Sequence, residues 1–92
     1  MKYRSRTEIV SNILIAANGG ATKTKIMYKA FLSYAQLKEY LTVLLQNGLL
    51  EYEDESSVFK TTSKGIKFLA IYDQLDVLSP SPTSPATISV KR

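Results

Sequence analysis

The sequence predicts a mainly helical domain with one small β-hairpin, which places it in the α+β fold class. Three observations lead to this prediction: helical periodicity on both sides of residue 33, a turn signal at Asn47-Gly48, and two short β-forming segments separated by polar residues 54–57. With 92 residues and 45% hydrophobic content, the chain forms a single small domain. A domain of this size buries only about 60% of its unfolded surface, so the core is expected to be thin.

The first helix is expected to begin near Thr7, which would act as the N-cap with Glu8 at the positive end of the helix dipole. It should end at Asn18-Gly19-Gly20, where glycine permits a left-handed cap. The residues expected on its inner stripe are Ile9, Val10, Ile13, Leu14 and Ala17. Arg4 and Arg6, ahead of this helix, are interpreted as part of a frayed terminus rather than as a basic arm that contacts a partner.

Residues 23–30 form the second predicted helix, capped by Thr22 after a very short strand at Ala21. Ile26, Met27 and Ala30 turn inward in this helix, whereas its lysines turn outward. The third helix begins at Ser33, which forms a capping box with Gln36. It ends at Asn47-Gly48. The leucines that share its buried face are Leu37, Leu41, Leu44 and Leu45.

Residues 49–53 and 58–61 form the predicted hairpin, and a last helix runs from a cap at Thr62 or Ser63 to Leu78. Gly65 is a weak position in this helix, at about 1 kcal/mol relative to alanine. Ile66, Leu69 and Ala70 are expected to face the domain. A second stripe has the spacing of a coiled-coil seam and favours a homodimer; the alternative is that it belongs to the core. It comprises Phe68, Ile71, Leu75 and Leu78.

The predicted order of helix, short strand, two helices, hairpin and helix is that of a winged helix-turn-helix domain. We assign residues 1–6 to a flexible segment, 7–78 to the domain with a C-terminal helix available for dimerisation, and 79–92 to a disordered tail rich in proline and serine. Pro80 ends the last helix because proline lacks the amide hydrogen.

The net charge of +4 is unevenly distributed. Residues 1–50 carry seven Lys or Arg against two acids, whereas four acids fall within residues 51–55. Basic residues beside a helix-turn-helix indicate a polyanion partner, because each phosphate that is neutralised releases condensed counterions. A positive charge of this size without that setting would favour an ordinary solvated surface.

The chain contains no cysteine and no histidine. Disulfides, thiolate metal sites and histidine-based catalysis are therefore excluded, and we expect no enzyme activity, catalytic residue, metal site or cofactor. No small-molecule ligand is predicted. No apolar run approaches the ~20 residues of a membrane helix, and no signal peptide is recognisable. We expect a cytoplasmic, nucleoid-associated protein with no membrane contact.

In TKTKIMYKAFLSYAQLKEYLTVLLQNGLLEYE, followed by FKTTSKGIKFL, the sequence resembles the small archaeal winged-helix proteins. The resemblance covers residues 7–78 and is most specific over residues 22–50. It implies binding of double-stranded DNA by a transcription regulator or an abundant DNA-binding protein, with the helix begun by Ser33 as the reader. Some members dimerise through an antiparallel coiled coil made by the last helix.

Two features depart from that family. Pro80 stops the last helix early, so any dimer should be compact rather than two distant heads on a long coiled coil. The hairpin tip carries Glu53, Asp54 and Glu55 where a wing that follows phosphates would carry Lys or Arg. Because negative charge is repelled by phosphate, the tip is expected to point away from DNA.

The free face of the third helix is expected to enter the major groove of double-stranded DNA. Gln36 would read a base edge, preferentially adenine, and Lys38 would reach guanine or phosphate. The complete set of predicted DNA-binding residues is Lys23, Lys25, Lys29, Ser33, Tyr34, Gln36, Lys38, Thr42 and Lys60. Alternatively, Gln36 serves only its capping box, and Tyr34 and Tyr40 are tyrosines at the core margin.

Two other functions remain open at this stage. The protein could bind DNA architecturally, with little sequence preference, because few side chains suited to base reading are present. It could instead be a protein-interaction module in which the acidic hairpin and the last helix contact other subunits, since fold alone does not determine function.

Overall fold

The computed structural model describes the backbone of residues 4–78 and the side chains of residues 4–72. Within residues 4–78 there are four helices and one hairpin, which confirms the predicted α+β fold class. Their bounds, in chain order, are α1 Arg6–Ala17, α2 Lys23–Ala30, α3 Tyr34–Gln46, β1 Leu50–Glu53, β2 Val58–Thr61 and α4 Ser63–Leu78. The predicted tail, residues 79–92, lies outside the described residues, as do the side chains of Leu75 and Leu78.

The start of α1 differs from the prediction. Ser5, not Thr7, is the N-cap, and its hydroxyl accepts a hydrogen bond from the Glu8 amide at 3.0 Å. The spacing explains the difference, because an N-cap side chain reaches the amide three residues on, and Ser5 has this relation to the acidic residue of the first turn. The expected fraying at Arg4 and Arg6 is also wrong: Arg4 makes tertiary hydrogen bonds and Arg6 is the first residue of α1.

The core lies between α1, α2, α3 and the inner side of the hairpin. Its fully buried centre comprises Ile13, Leu14, Ile26, Leu37 and Leu44. Leu41, Leu50 and Phe59 extend it towards the hairpin. Leu45 was predicted to lie on the buried face of α3, and this is wrong. Its side chain is 37% exposed and lies at the edge of the apolar stripe.

The hairpin is antiparallel, and its register pairs Leu50 with Thr61 and Glu53 with Val58. Ala21 forms the expected short strand, bridging to Phe59 through two backbone hydrogen bonds of 2.9 and 2.8 Å. The Thr61 hydroxyl donates to the carbonyl oxygen of Leu14 at 2.6 Å. These links join the hairpin to α1 and to the segment before α2, so the wing is held in a defined position beside the helix-turn-helix.

The inner face of α4 is also different from the prediction. Over residues 63–72, where its side chains are described, the half-buried or buried residues are Gly65, Phe68, Leu69 and Tyr72, whereas Ile66 and Ala70 are exposed. Phe68 packs against the core, so it is not free to begin the predicted dimerisation seam. Ile71 is 56% exposed and remains available to a partner. Two apolar stripes overlap on this helix, and the prediction placed the wrong one against the core.

Gly65 was predicted to weaken α4, but the packing around this position leaves no room for any larger residue. A Cβ atom at this residue would lie 2.5 Å from the carbonyl oxygen of Leu49 and 2.6 Å from Cγ2 of Thr61. Thr62 explains this close approach, because its amide donates to Leu49 and its hydroxyl donates to Gly48 at 2.6 Å. The start of α4 is thereby held against the loop that follows α3.

Candidate nucleic-acid interface

Helices α2 and α3 form the helix-turn-helix, and a short turn with a strained residue joins them. Phe31 has φ 54° and ψ 54°, the left-handed conformation, and ends α2. The Leu32 amide then donates to the Met27 carbonyl at 3.1 Å, the closing hydrogen bond of a Schellman motif. Leu32 is buried, which directs the chain into α3.

The start of α3 has the predicted capping box. The Ser33 hydroxyl accepts from the Gln36 amide at 3.2 Å, and Gln36 Oε1 accepts from the Ser33 amide at 3.1 Å. The box satisfies backbone groups at the helix N-terminus and defines the direction in which α3 begins. It also engages one acceptor position of the Gln36 amide oxygen, while the Nε2 group has no part in the box and is free for a base edge.

The outer face of α3 is open to solvent over its first two turns. Within the part of the chain that the structure describes, every residue that forms this ridge is exposed; they are Ser33, Tyr34, Ala35, Gln36, Lys38, Glu39 and Thr42. Tyr40 is half-buried against the core, as the core-margin interpretation expected. Tyr34, by contrast, is 53% exposed and belongs to the ridge.

Two lysines meet at Tyr34. The Lys23 ammonium group, from the first turn of α2, lies 5.4 Å from the centre of the Tyr34 ring, and the Lys38 ammonium group lies 5.8 Å from it. Both distances are within the ~6 Å range of a cation–π interaction. The aromatic ring therefore holds two positive charges together at the leading edge of α3. We call Lys23, Tyr34 and Lys38 the tyrosine cluster.

The tyrosine cluster was not predicted as a unit, although each member was named. The spacing of Tyr34 and Lys38, one helical turn apart on α3, is a local signal that could have indicated their contact. The addition of Lys23 depends on how α2 packs against α3, which the sequence pattern does not specify.

The remaining predicted lysines lie elsewhere. Lys25 and Lys29 are about 200° and 240° around the α2 axis from Lys23, on the opposite flank. Both line a shallow groove with Tyr28, and Lys29 also borders Asn12, Ile15 and Ala16 of α1. The predicted set is thus divided between two sides of α2.

Lys60 and Thr42 have partners of their own. The Lys60 ammonium group is 3.8 Å from Oε1 of Glu53, and its side chain lies beside Gly20 on the outer side of the hairpin. The Thr42 hydroxyl donates to the Lys38 carbonyl at 3.0 Å, and the residue is exposed with the rest of the ridge. At the hairpin tip, Ser56 donates to the Glu53 carboxylate at 3.1 Å, and Asp54 and Glu55 are exposed.

Among the described residues, no group of three or more His, Cys, Asp or Glu side chains is placed to hold a metal ion. Within that same part of the chain, no helix combines the length and apolar character needed to cross a membrane.

This geometry agrees with what comparison to known proteins finds. Residues 3–79 match the model of the winged helix-turn-helix family. The chain belongs to that family. An uncharacterized protein of Methanocaldococcus jannaschii is 31% identical over 81 residues, which cover 86% of this chain and 81% of the relative. The crystal structure of Sso10a-2, described as a DNA-binding protein from Sulfolobus solfataricus, aligns with a TM-score of 0.70 and 24% identity over 78% of each chain. Both organisms are archaea, as the resemblance implied.

Proposed function

We propose that this protein binds double-stranded DNA with the outer ridge of α3 in the major groove and acts as a transcriptional regulator. The observation that carries the proposal is the tyrosine cluster, which places two ammonium groups beside an uncovered helix face. The DNA-binding description of Sso10a-2, a protein of similar fold, supports the same function.

The ridge has the composition that a groove requires. Ala35 and Thr42 are small enough for α3 to approach the base pairs closely, and Lys38 extends from the same face. We propose that Lys23 and Lys38 bind phosphates on one strand while the Tyr34 hydroxyl and Ser33 contact the same backbone. Gln36 would then donate from Nε2 to a base acceptor without breaking its capping box.

The arrangement of the wing fits this orientation. Because Lys60 is paired with Glu53, we propose only a minor contribution of Lys60 to phosphate binding. The exposed Asp54 and Glu55 would be repelled by the phosphates, so the tip is proposed to lie off the duplex. The protein is proposed to reside with the nucleoid in the cytoplasm.

A homodimer through α4 remains part of the proposal. Ile71 is exposed on the helix, and Leu75 and Leu78 follow it in the predicted seam. Since Phe68 is used by the protein's own core, the contact would begin at Ile71 and be short. A sedimentation measurement that finds only monomer at high protein concentration would refute the proposed homodimer.

Salt dependence of duplex binding tests the function. In a plot of log affinity against log salt concentration the slope is negative, and each phosphate contact adds about 0.9 to its magnitude. The magnitude should therefore fall by about two when Lys23 and Lys38 are both replaced by alanine. Lys67→Ala is the matched control, because Lys67 is exposed on α4 away from the ridge and should leave the slope unchanged. Equal slopes for the double variant and the wild type would reject the tyrosine cluster as the phosphate contact.

Architectural binding is the second candidate, favoured by the capping box, because the box engages the Gln36 side chain and limits its freedom to read bases. Competition between a selected site and random duplex separates the two. A regulator should prefer its site by about 10³-fold or more, whereas a ratio near one indicates architectural binding.

A further inference from the structure

We propose that the opposite flank of α2 is a second nucleic-acid surface, which binds single strands through their unpaired bases. Its residues are Lys25, Tyr28 and Lys29, which line one shallow groove, together with Phe31, which caps the C-terminal end of the helix; we call them the α2 outer face. This surface is separate from the tyrosine cluster and goes beyond the proposed duplex binding.

The first observation is the exposure of two aromatic rings. Tyr28 is 80% exposed and Phe31 is 82% exposed, one turn apart at the C-terminal end of α2. Neither side chain contributes to the core. Large aromatic side chains normally supply buried area, so two of them in solvent on one short helix are not explained by folding.

The second observation is the conformation of Phe31. Its φ of 54° lies in the left-handed region, where glycine or asparagine would be relaxed and a bulky residue is strained. The position is the left-handed end of a Schellman motif, for which glycine is the usual residue. Phe31 therefore occupies a strained backbone position, and its ring gains no burial in return. This combination points to a role of the ring in binding.

The third observation is the charge around the rings. Lys25 and Lys29 line one shallow groove with Tyr28. Arg4 adds a guanidinium group at the end of the helix, where it donates to the carbonyl oxygens of Ala30 and Phe31 at 2.6 and 2.8 Å. Helix α2 contains three lysines and no acidic residue.

These features select an anionic partner that also presents flat rings. Single-stranded DNA or RNA meets both requirements, since its unstacked bases can lie on aromatic side chains while its phosphates follow the cations. In a duplex the bases are stacked on one another and would not use the rings. A second copy of this chain is disfavoured, because a two-fold contact through α2 would bring lysines against lysines.

The test uses the full chain and two fluorescent probes, an oligo-dT single strand and a random-sequence duplex, read by anisotropy. Tyr28→Ala and Phe31→Gly should each weaken oligo-dT binding by at least about fivefold, with duplex affinity within about twofold of wild type. Ile66→Ala is the control for loss of an exposed apolar side chain and should change neither affinity. The variant with both Lys23 and Lys38 replaced by alanine should lose duplex affinity and keep its oligo-dT affinity. Each of the two proposed sites is therefore tested separately from the other.

Folding is controlled within the same set. Phe31→Gly relieves the left-handed strain, so its melting temperature should equal or exceed that of the wild type, and lost binding cannot then be attributed to unfolding. An abasic oligonucleotide of the same length carries the phosphates without the bases and should bind more weakly than oligo-dT. The proposal is overturned if the abasic strand binds as tightly as oligo-dT, if both ring variants retain oligo-dT affinity, or if their duplex affinity falls equally.

Discussion

Replacing Gly65 with alanine should destabilise the protein, although helix propensity alone predicts the opposite. Alanine is favoured over glycine by about 1 kcal/mol inside a helix. The new Cβ atom, however, would lie 2.5 Å from the Leu49 carbonyl oxygen and 2.6 Å from Thr61 Cγ2. Neither neighbour is free to move, because Leu49 accepts a hydrogen bond from the Thr62 amide at 3.1 Å and Thr61 is held to Leu14 at 2.6 Å.

Overpacking of this kind costs about 1–3 kcal/mol, and two contacts with restrained atoms place Gly65→Ala at the upper end. After the propensity gain, the net loss should be about 1–2 kcal/mol, which lowers the melting temperature of a domain this small by about 5–15 °C. Thermal unfolding followed by circular dichroism measures it. Gly19→Ala is the matched control, since Gly19 has φ 89° but nothing within 4 Å of a new Cβ, so only backbone strain is added. A melting temperature that rises for Gly65→Ala would refute the close approach of α4 to Leu49.

Three further substitutions test other parts of the fold by the same measurement. Ser11→Ala should stabilise by about 0.5–1 kcal/mol, because the Ser11 hydroxyl is buried and has no hydrogen-bond partner among the described residues; a loss of stability would contradict this. Ser33→Ala should cost about 1 kcal/mol by removing the N-cap of α3, and Ser33→Asp, which keeps a capping oxygen, should not. Arg4→Ala should cost about 1 kcal/mol through its lost hydrogen bonds, whereas Arg6→Ala, at an exposed position, should be nearly neutral.

The features that were predictable from sequence are those whose causes are local. The capping box of Ser33 and Gln36 joins residues three apart, and the left-handed Gly48 ends α3 within one turn of its last leucine. The hairpin was recognisable because its β-forming segments flank polar residues 54–57. Short-range hydrogen bonds and steric rules therefore sufficed to locate these elements.

Apart from the N-cap of α1, where Ser5 takes the place expected for Thr7, the main errors concern contacts between residues far apart in the chain. Arg4 reaches carbonyls at Ala30 and Phe31, 26 and 27 residues away, which no periodicity indicates. The role of Gly65 depends on the approach of Leu49, and the inner face of α4 depends on which of two apolar stripes the core accepts. The same limit applies to the tyrosine cluster, because Lys23 and Tyr34 are brought together only by the packing of α2 against α3.

Mapping of backbone amide shifts by NMR during titration with a short duplex tests most directly whether the α3 ridge contacts DNA. The account predicts that the largest shifts fall at Lys23, Tyr34 and Lys38 and along the exposed side of α3. Exposed residues of α4 such as Ile66 and Lys67 should shift little. Large shifts confined to α4 or to the hairpin tip, with the tyrosine cluster unchanged, would contradict it.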